Sequence, residues 1–141
     1  MAKHFIFVAP DRKDVQSLID WSVAWLDENR PDEIPDIYLI TSIDTAIRAV
    51  RQPVVSGELP QMIVVDHRLD PARIPEFVEG LRRCYPECWT VELSERSAGV
   101  PLPNATVLFH PVGKDEWLDQ VRYSFDEAAS PQWSKVLLNE I

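Results

Sequence analysis

Five short apolar runs, separated by segments with helical spacing, constrain this chain more than any other feature. They are Lys3–Ala9, Asp36–Thr41, Met62–Asp66, Cys88–Leu93 and Ala105–Phe109. Their apolar residues run nearly continuously, as in strands covered on both faces. Between the first two, Arg12–Asn29 places Val15, Leu18, Ile19, Val23 and Leu26 at helical intervals, and Trp21 and Trp25 widen the stripe. Ser42 is positioned to cap a second helix carrying Ile43, Ala46, Ile47 and Val50. Pro75 opens a third, whose buried face draws on Phe77, Val78, Leu81 and Cys84 or Tyr85. A last helix over Lys114–Ala129 offers Trp117, Leu118, Val121, Phe125 and Ala128. Alternation of this kind predicts an α/β fold, a single doubly wound parallel sheet of five strands. One interval breaks the rhythm. Ser94–Asn104 has no helical period and contains Pro101 and Pro103, so a loop or one short turn is expected there.

Length and charge narrow the function. A chain of 141 residues suits one domain with its own core. Lys and Arg number 14 against 23 Asp and Glu, a net charge of −9 that disfavours nucleic acid and anionic membrane as partners. Arg68, Arg73, Arg82 and Arg83 cluster in sequence and read as a solvated helix face. The four glycines, Gly57, Gly80, Gly99 and Gly113, lie too far apart for a nucleotide-binding loop. Cys84 and Cys88 have no second pair to complete a zinc site, and read as reduced packing residues near a helix end. The apolar run at the N-terminus is too short for a signal peptide or membrane span, so a cytoplasmic protein is expected. The division expected is a domain over 1–129 and a tail over 130–141, in which Trp133, Val136, Leu137 and Ile141 fall roughly on one helical face.

Ligands of open parallel sheets bind beyond the carboxyl ends of the strands. The polar residues there are Asp11, with Asp14 one turn on, then Asp66 and His67, Ser94 and Glu95, and His110 before Pro111. Met62-Ile-Val-Val-Asp66-His-Arg-Leu69 resembles the third strand of a response-regulator receiver domain, whose final Asp accepts a phosphoryl group. Leu81-Arg-Arg-Cys-Tyr-Pro86, followed by a strand ending at Ser94, resembles the next segment, where the family has Thr or Ser. Phe109-His110-Pro111-Val112 stands where the family has Lys-Pro-Phe with a cis proline. The order of elements agrees over about residues 3–129. The resemblance implies strand order 2-1-3-4-5, a phosphoacceptor at Asp66 with Ser94 and His110 beside it, and Mg²⁺ held by Asp66 and a neighbouring acid. It also implies a sensor kinase or downstream regulator as partner, with a homodimer as another route to output.

The chain departs from that family where the chemistry is most demanding. The two metal-binding acids after the first strand are matched by Ala9 and Pro10, and Asp11 comes one residue late. His110 replaces the phosphoryl-contacting lysine, and Val107 stands at the aromatic switch position. Phosphoryl transfer needs Mg²⁺ and a fixed cation to neutralise oxygen charge, and an unperturbed imidazole is mostly neutral at pH 7. Asp66 with one backbone carbonyl is a poor Mg²⁺ site; Asp11 completes it if the turn at Pro10 aims it inward. Three functions follow as expectations. The first is a stand-alone pseudo-receiver with a degraded site, no cofactor or weakly bound Mg²⁺, and output through protein–protein contacts after Ser94, on the last helix and in the tail. The second is a working phosphoacceptor in which Asp11 and Asp66 hold the metal and His110 replaces lysine. The third is a small enzyme with Asp66 as nucleophile and His67 or His110 as acid–base. Beside these stand plainer roles: turn cap for Asp66, helix N-cap for Asp11, and local backbone bonding for Ser94 and His110.

Overall fold

The computed structural model describes residues 4–51, 60–84, 88–95 and 106–125. Strands β1 (His4–Val8), β2 (Asp36–Ile40), β3 (Pro60–Asp66), β4 (Trp89–Ser94) and β5 (Thr106–Phe109) form one parallel sheet in the order β2-β1-β3-β4-β5. Helices α1 (Gln16–Asn29), α2 (Ile43–Arg51), α3 (Ile74–Cys84) and α4 (Lys114–Phe125) cover it. Strands β1 and β3 serve two cores, because successive side chains point to opposite faces. On β3, Met62 and Val64 join Phe5, Phe7, Leu26, Trp117 and Val121 on the α1–α4 side. Ile63 and Val65 join Ile43, Ile47, Phe77, Val78 and Leu81 on the α2–α3 side. Trp117 is fully buried, and its indole N–H donates to Ser22 Oγ at 2.9 Å and Leu18 O at 3.1 Å, pinning α4 to α1.

The expected alternation and parallel sheet are observed, and the differences have local causes. The segment read as one helix from Arg12 opens instead as a 3-10 turn, Arg12–Asp14, before α1 begins at Gln16. Asp11 caps that turn: its Oδ1 accepts from Lys13 N at 3.1 Å, and its carbonyl accepts from Asp14 N at 3.1 Å. Cys88 is buried, but Cys84 is exposed on α3 instead of contributing to its buried face. Trp21 and Trp25 are half-buried against the α1–α4 core. Three arginines of the sequence cluster are engaged by acids. Arg73 pairs with Asp44, Arg83 Nη2 lies 2.8 Å from Glu79 Oε1, and Arg68 turns inward. Among the described residues no helix stands between β4 and β5, and none is long and apolar enough to cross a membrane. The expected loop over Ser94–Asn104 falls mainly on residues 96–105, and the tail 130–141 with Trp133 also lies outside the described residues.

Candidate functional site

The carboxyl ends of β3, β4 and β5 bring three of the sequence candidates to one edge. Asp66 pairs with Leu93 and Ser94 with Phe109 in the strand registers. The ladder runs one step further on both sides: His67 N donates to Leu93 O and His110 N donates to Ser94 O, each at 2.9 Å. His67, Ser94 and His110 are therefore fixed by backbone bonds around the end of β4. The His110–Pro111 peptide is cis.

Asp66 is completely buried, and a buried carboxylate is costly unless donors surround it. Nearly all of its donors come from one residue. Arg68 N–H donates to Oδ1 at 2.9 Å, closing a turn two residues on. Arg68 Nε lies 3.1 Å from Oδ1 and 3.2 Å from Oδ2, and Nη2 donates to Oδ2 at 2.7 Å. This is the planar fork by which guanidinium grips carboxylate. His110 Nε2 approaches Oδ2 from β5 at 3.2 Å. The hydrogen bond to Asp66 raises the Arg68 pKa above its usual value; partial burial opposes this, and the charges of Asp66, Asp14 and Glu95 reinforce it. Arg68 thus stays cationic throughout the physiological range.

The remaining candidates sit differently. Asp11 is exposed and engaged as the cap described above, while Asp14 faces the cluster, its Oδ1 3.4 Å from Arg68 Nη2. Ser94 is buried on β4, and its Oγ donates to the Glu95 carbonyl at 3.3 Å. His67 turns to Glu92, with Nε2 2.6 Å from Oε1. Glu92 is fully buried on β4. Val107, on β5, pairs with Glu92 in register and is half-buried.

Arg68 and Glu92 are the site residues that the sequence does not assign, while it places Asp14 at the strand ends beside Asp11 without a role of its own. A signal for Arg68 was present: an Arg two residues after a strand-end Asp can fold back onto it. Glu92 also stood out, as a lone acid within an apolar strand that must find a donor when buried. Asp14 stood one turn beyond Asp11 in the sequence, but its approach to Arg68 depends on the 3-10 turn.

The residues present do not fit a resident Mg²⁺. That ion takes oxygen ligands in near-octahedral array. After β1 the chain offers buried Ala9 and then Pro10, while the oxygens of Asp66 are gripped by Arg68. Among the described residues, no three His, Cys, Asp or Glu side chains gather to hold a metal.

A doubly wound five-stranded sheet with its polar cluster at the carboxyl ends of β3 and β5 defines a fold class shared by many binding and signalling domains. No protein-family model matches the sequence, and no curated protein matches it. Solved structures do match in fold. A two-component transcriptional regulator AraC from Clostridium phytofermentans is similar at TM-score 0.67 and 18% identity, over 87% of this chain and 91% of that one. A CheY-like receiver domain protein from Methanospirillum hungatei is similar at TM-score 0.63 and 13% identity, over 96% of this chain and 99% of that one. A response regulator receiver protein from Sinorhizobium medicae is similar at TM-score 0.61 and 17% identity, over 87% and 94% of the two chains. The chain has the fold of response-regulator receiver domains.

Proposed function

We propose that this protein is a signalling domain of receiver type whose strand-end carboxylate is structural, and whose output comes from protein–protein contacts. The observation that carries this reading is the saturation of Asp66. Its Oδ1 accepts from the backbone and side chain of Arg68, and its Oδ2 is shared between Arg68 Nη2 and His110. A nucleophilic carboxylate needs a free lone pair aimed at phosphorus, and it needs cations aimed at the phosphoryl oxygens. Here the strongest cation is aimed at the nucleophile. The partner is a sensor kinase, a downstream regulator or a second copy of the chain, and α4 with its exposed Tyr123 is the described element proposed to meet it. The acidic surface supports a protein partner over nucleic acid or membrane.

A second reading has one observation in its favour. The Arg68 side chain is 33% exposed, so outward rotation would leave Asp66 and Asp14 facing an open edge, as a phosphoacceptor needs. The enzyme reading keeps His110, 3.2 Å from Asp66 Oδ2, but its nucleophile carries the same Arg68 grip and His67 is engaged by Glu92. Incubation of the full chain with acetyl phosphate and Mg²⁺, followed by intact-mass measurement, separates the first two. No adduct is expected. An adduct lost in Asp66→Asn would establish the phosphoacceptor.

A further inference from the structure

Resting on the reading that this protein acts through protein contacts, we infer that the free edge of β2 docks a basic, extended segment of a partner protein as an added strand. β2 is the outer strand of the sheet, and among the described residues it pairs with β1 alone. Ile40 O accepts from Ala9 N at 3.1 Å, so the backbone of Ile40 faces β1. Strand alternation then turns the N–H and C=O groups of Ile37 and Leu39 away from the sheet. Such a row of donors and acceptors is a template for another strand, and edges are commonly blunted by Lys, Pro or a bulge. β2 contains no Lys or Pro, and its pairs with β1 run from His4↔Asp36 to Val8↔Ile40 without a register shift. The cluster around Asp66 is separate, since β1 stands between β3 and this edge.

Two surface features define the occupant. The first is apolar. Ile34 and Tyr38 are two of the four exposed large hydrophobic residues among those described, and both lie at this edge. Tyr38 pairs with Ile6, and its ring centroid lies 5.2 Å from that of His4. Ile37 and Leu39 are half-buried against the α1–α4 core, which anchors the strand that offers the edge. The second feature is charge. Asp27–Asp36 holds five acids and one arginine, a net −4 within a chain of −9. The arginine is already engaged, Arg30 Nη1 lying 3.1 Å from Glu33 Oε2. Asp27, Glu28, Asp32 and Asp36 are exposed, and only Asp36 has a base nearby, His4 Nδ1 at 4.0 Å. A second copy of the chain would set these acids against their own kind, and like charges across an interface cost affinity. A basic segment meets them with opposite charge. Backbone pairing then supplies affinity, and alternate side chains meeting Tyr38 and the acids supply specificity.

The test is a titration of the isotope-labelled full-length chain with synthetic peptides of about six residues, read by amide NMR and hydrogen exchange. One peptide alternates lysine with valine. Another alternates glutamate with valine, and a third keeps the lysines but has proline in place of a central valine. The lysine–valine peptide is expected to bind saturably at millimolar concentration, with shifts centred on β2 and slowed exchange at the Ile37 and Leu39 amides. The glutamate peptide should not bind. The proline peptide, which has lost a backbone donor, should bind at least roughly tenfold more weakly. Asp32→Asn combined with Asp36→Asn changes exposed side chains only, and should weaken the lysine–valine peptide by a similar factor. No binding, equal binding of the proline peptide, or saturable shifts centred elsewhere would overturn the inference. Slowed exchange at Ile37 and Leu39 that rises with protein concentration alone would also overturn it, in favour of a second copy. A phosphoryl adduct on wild-type Asp66 would instead overturn the reading of that carboxylate, and would leave the answer of the titration standing.

Discussion

Two buried acids on neighbouring strands, Asp66 and Glu92, meet the same physical demand in opposite ways. Both are fully buried, and each has a histidine beside it. Asp66 draws its donors from its own turn, where the backbone and fork of Arg68 satisfy both oxygens. Glu92 depends on another strand. Val65 pairs with Glu92, so His67, two residues further on, reaches the same face and places Nε2 2.6 Å from Oε1. The second oxygen of Glu92, Oε2, has no hydrogen-bond partner among the described residues. A locally supplied carboxylate survives small changes elsewhere, whereas one supplied across strands requires the register to hold.

This contrast breaks most visibly at Arg68. Arg68→Ala leaves Asp66 with a single backbone donor and His110, and should cost about 3 kcal/mol of folding stability in denaturant titration. A loss no larger than that of an ordinary surface substitution would show that water can replace the fork. At the other acid, His67→Ala should cost about 2 kcal/mol by leaving Glu92 buried without its donor. Combining it with Glu92→Leu should recover most of that loss, since an apolar pair of similar volume is tolerated where a lone charge is not. A double-mutant cycle checks this, and additive losses would deny the coupling.

A third buried group extends the same logic to pH. Burial pushes the Cys88 thiol up to about 12, a backbone hydrogen bond with Ile63 opposes this, and Sγ lies 3.6 Å from the Trp89 carbonyl. Because the folded pKa lies above the unfolded value, the unfolded chain releases this proton first. Stability from this group is therefore complete below about pH 9 and falls between about 9 and 12, by up to about 1.4 kcal/mol per pH unit. Subtracting the Cys88→Ala profile from that of the wild type isolates the slope. Thiol labelling of the native protein should modify exposed Cys84 and spare Cys88. The smallest effect belongs to Asp11. Asp11→Ala removes a cap on a short exposed turn and should cost about 0.5 kcal/mol in denaturant titration.

The fold was legible because its determinants are local and repeated. Continuous apolar runs such as Met62–Val65 must be covered on both faces, and the intervening helical stripes supply the cover. Asp66 and His110 were likewise legible as neighbours, since strand ends of a parallel sheet converge. The grip of Arg68 was harder to read, because a guanidinium two residues from an Asp can point outward as readily as back. That Asp14 rather than Asp11 approaches Arg68 depends on a 3-10 turn where helical spacing suggested a continuous helix. Cys84 and Cys88 looked alike in sequence and separated only when α3 ended at the first and β4 began just after the second.

The central claim is that Asp66 is held by Arg68 and does not take part in phosphoryl chemistry. The most direct measurement is a backbone amide NMR titration of the full-length protein with Mg²⁺ and beryllofluoride, which together mimic a phosphorylated carboxylate. The account predicts no saturable shifts at residues 66–69, 94 or 110. Saturable shifts at those positions, abolished by Asp66→Asn, would contradict it.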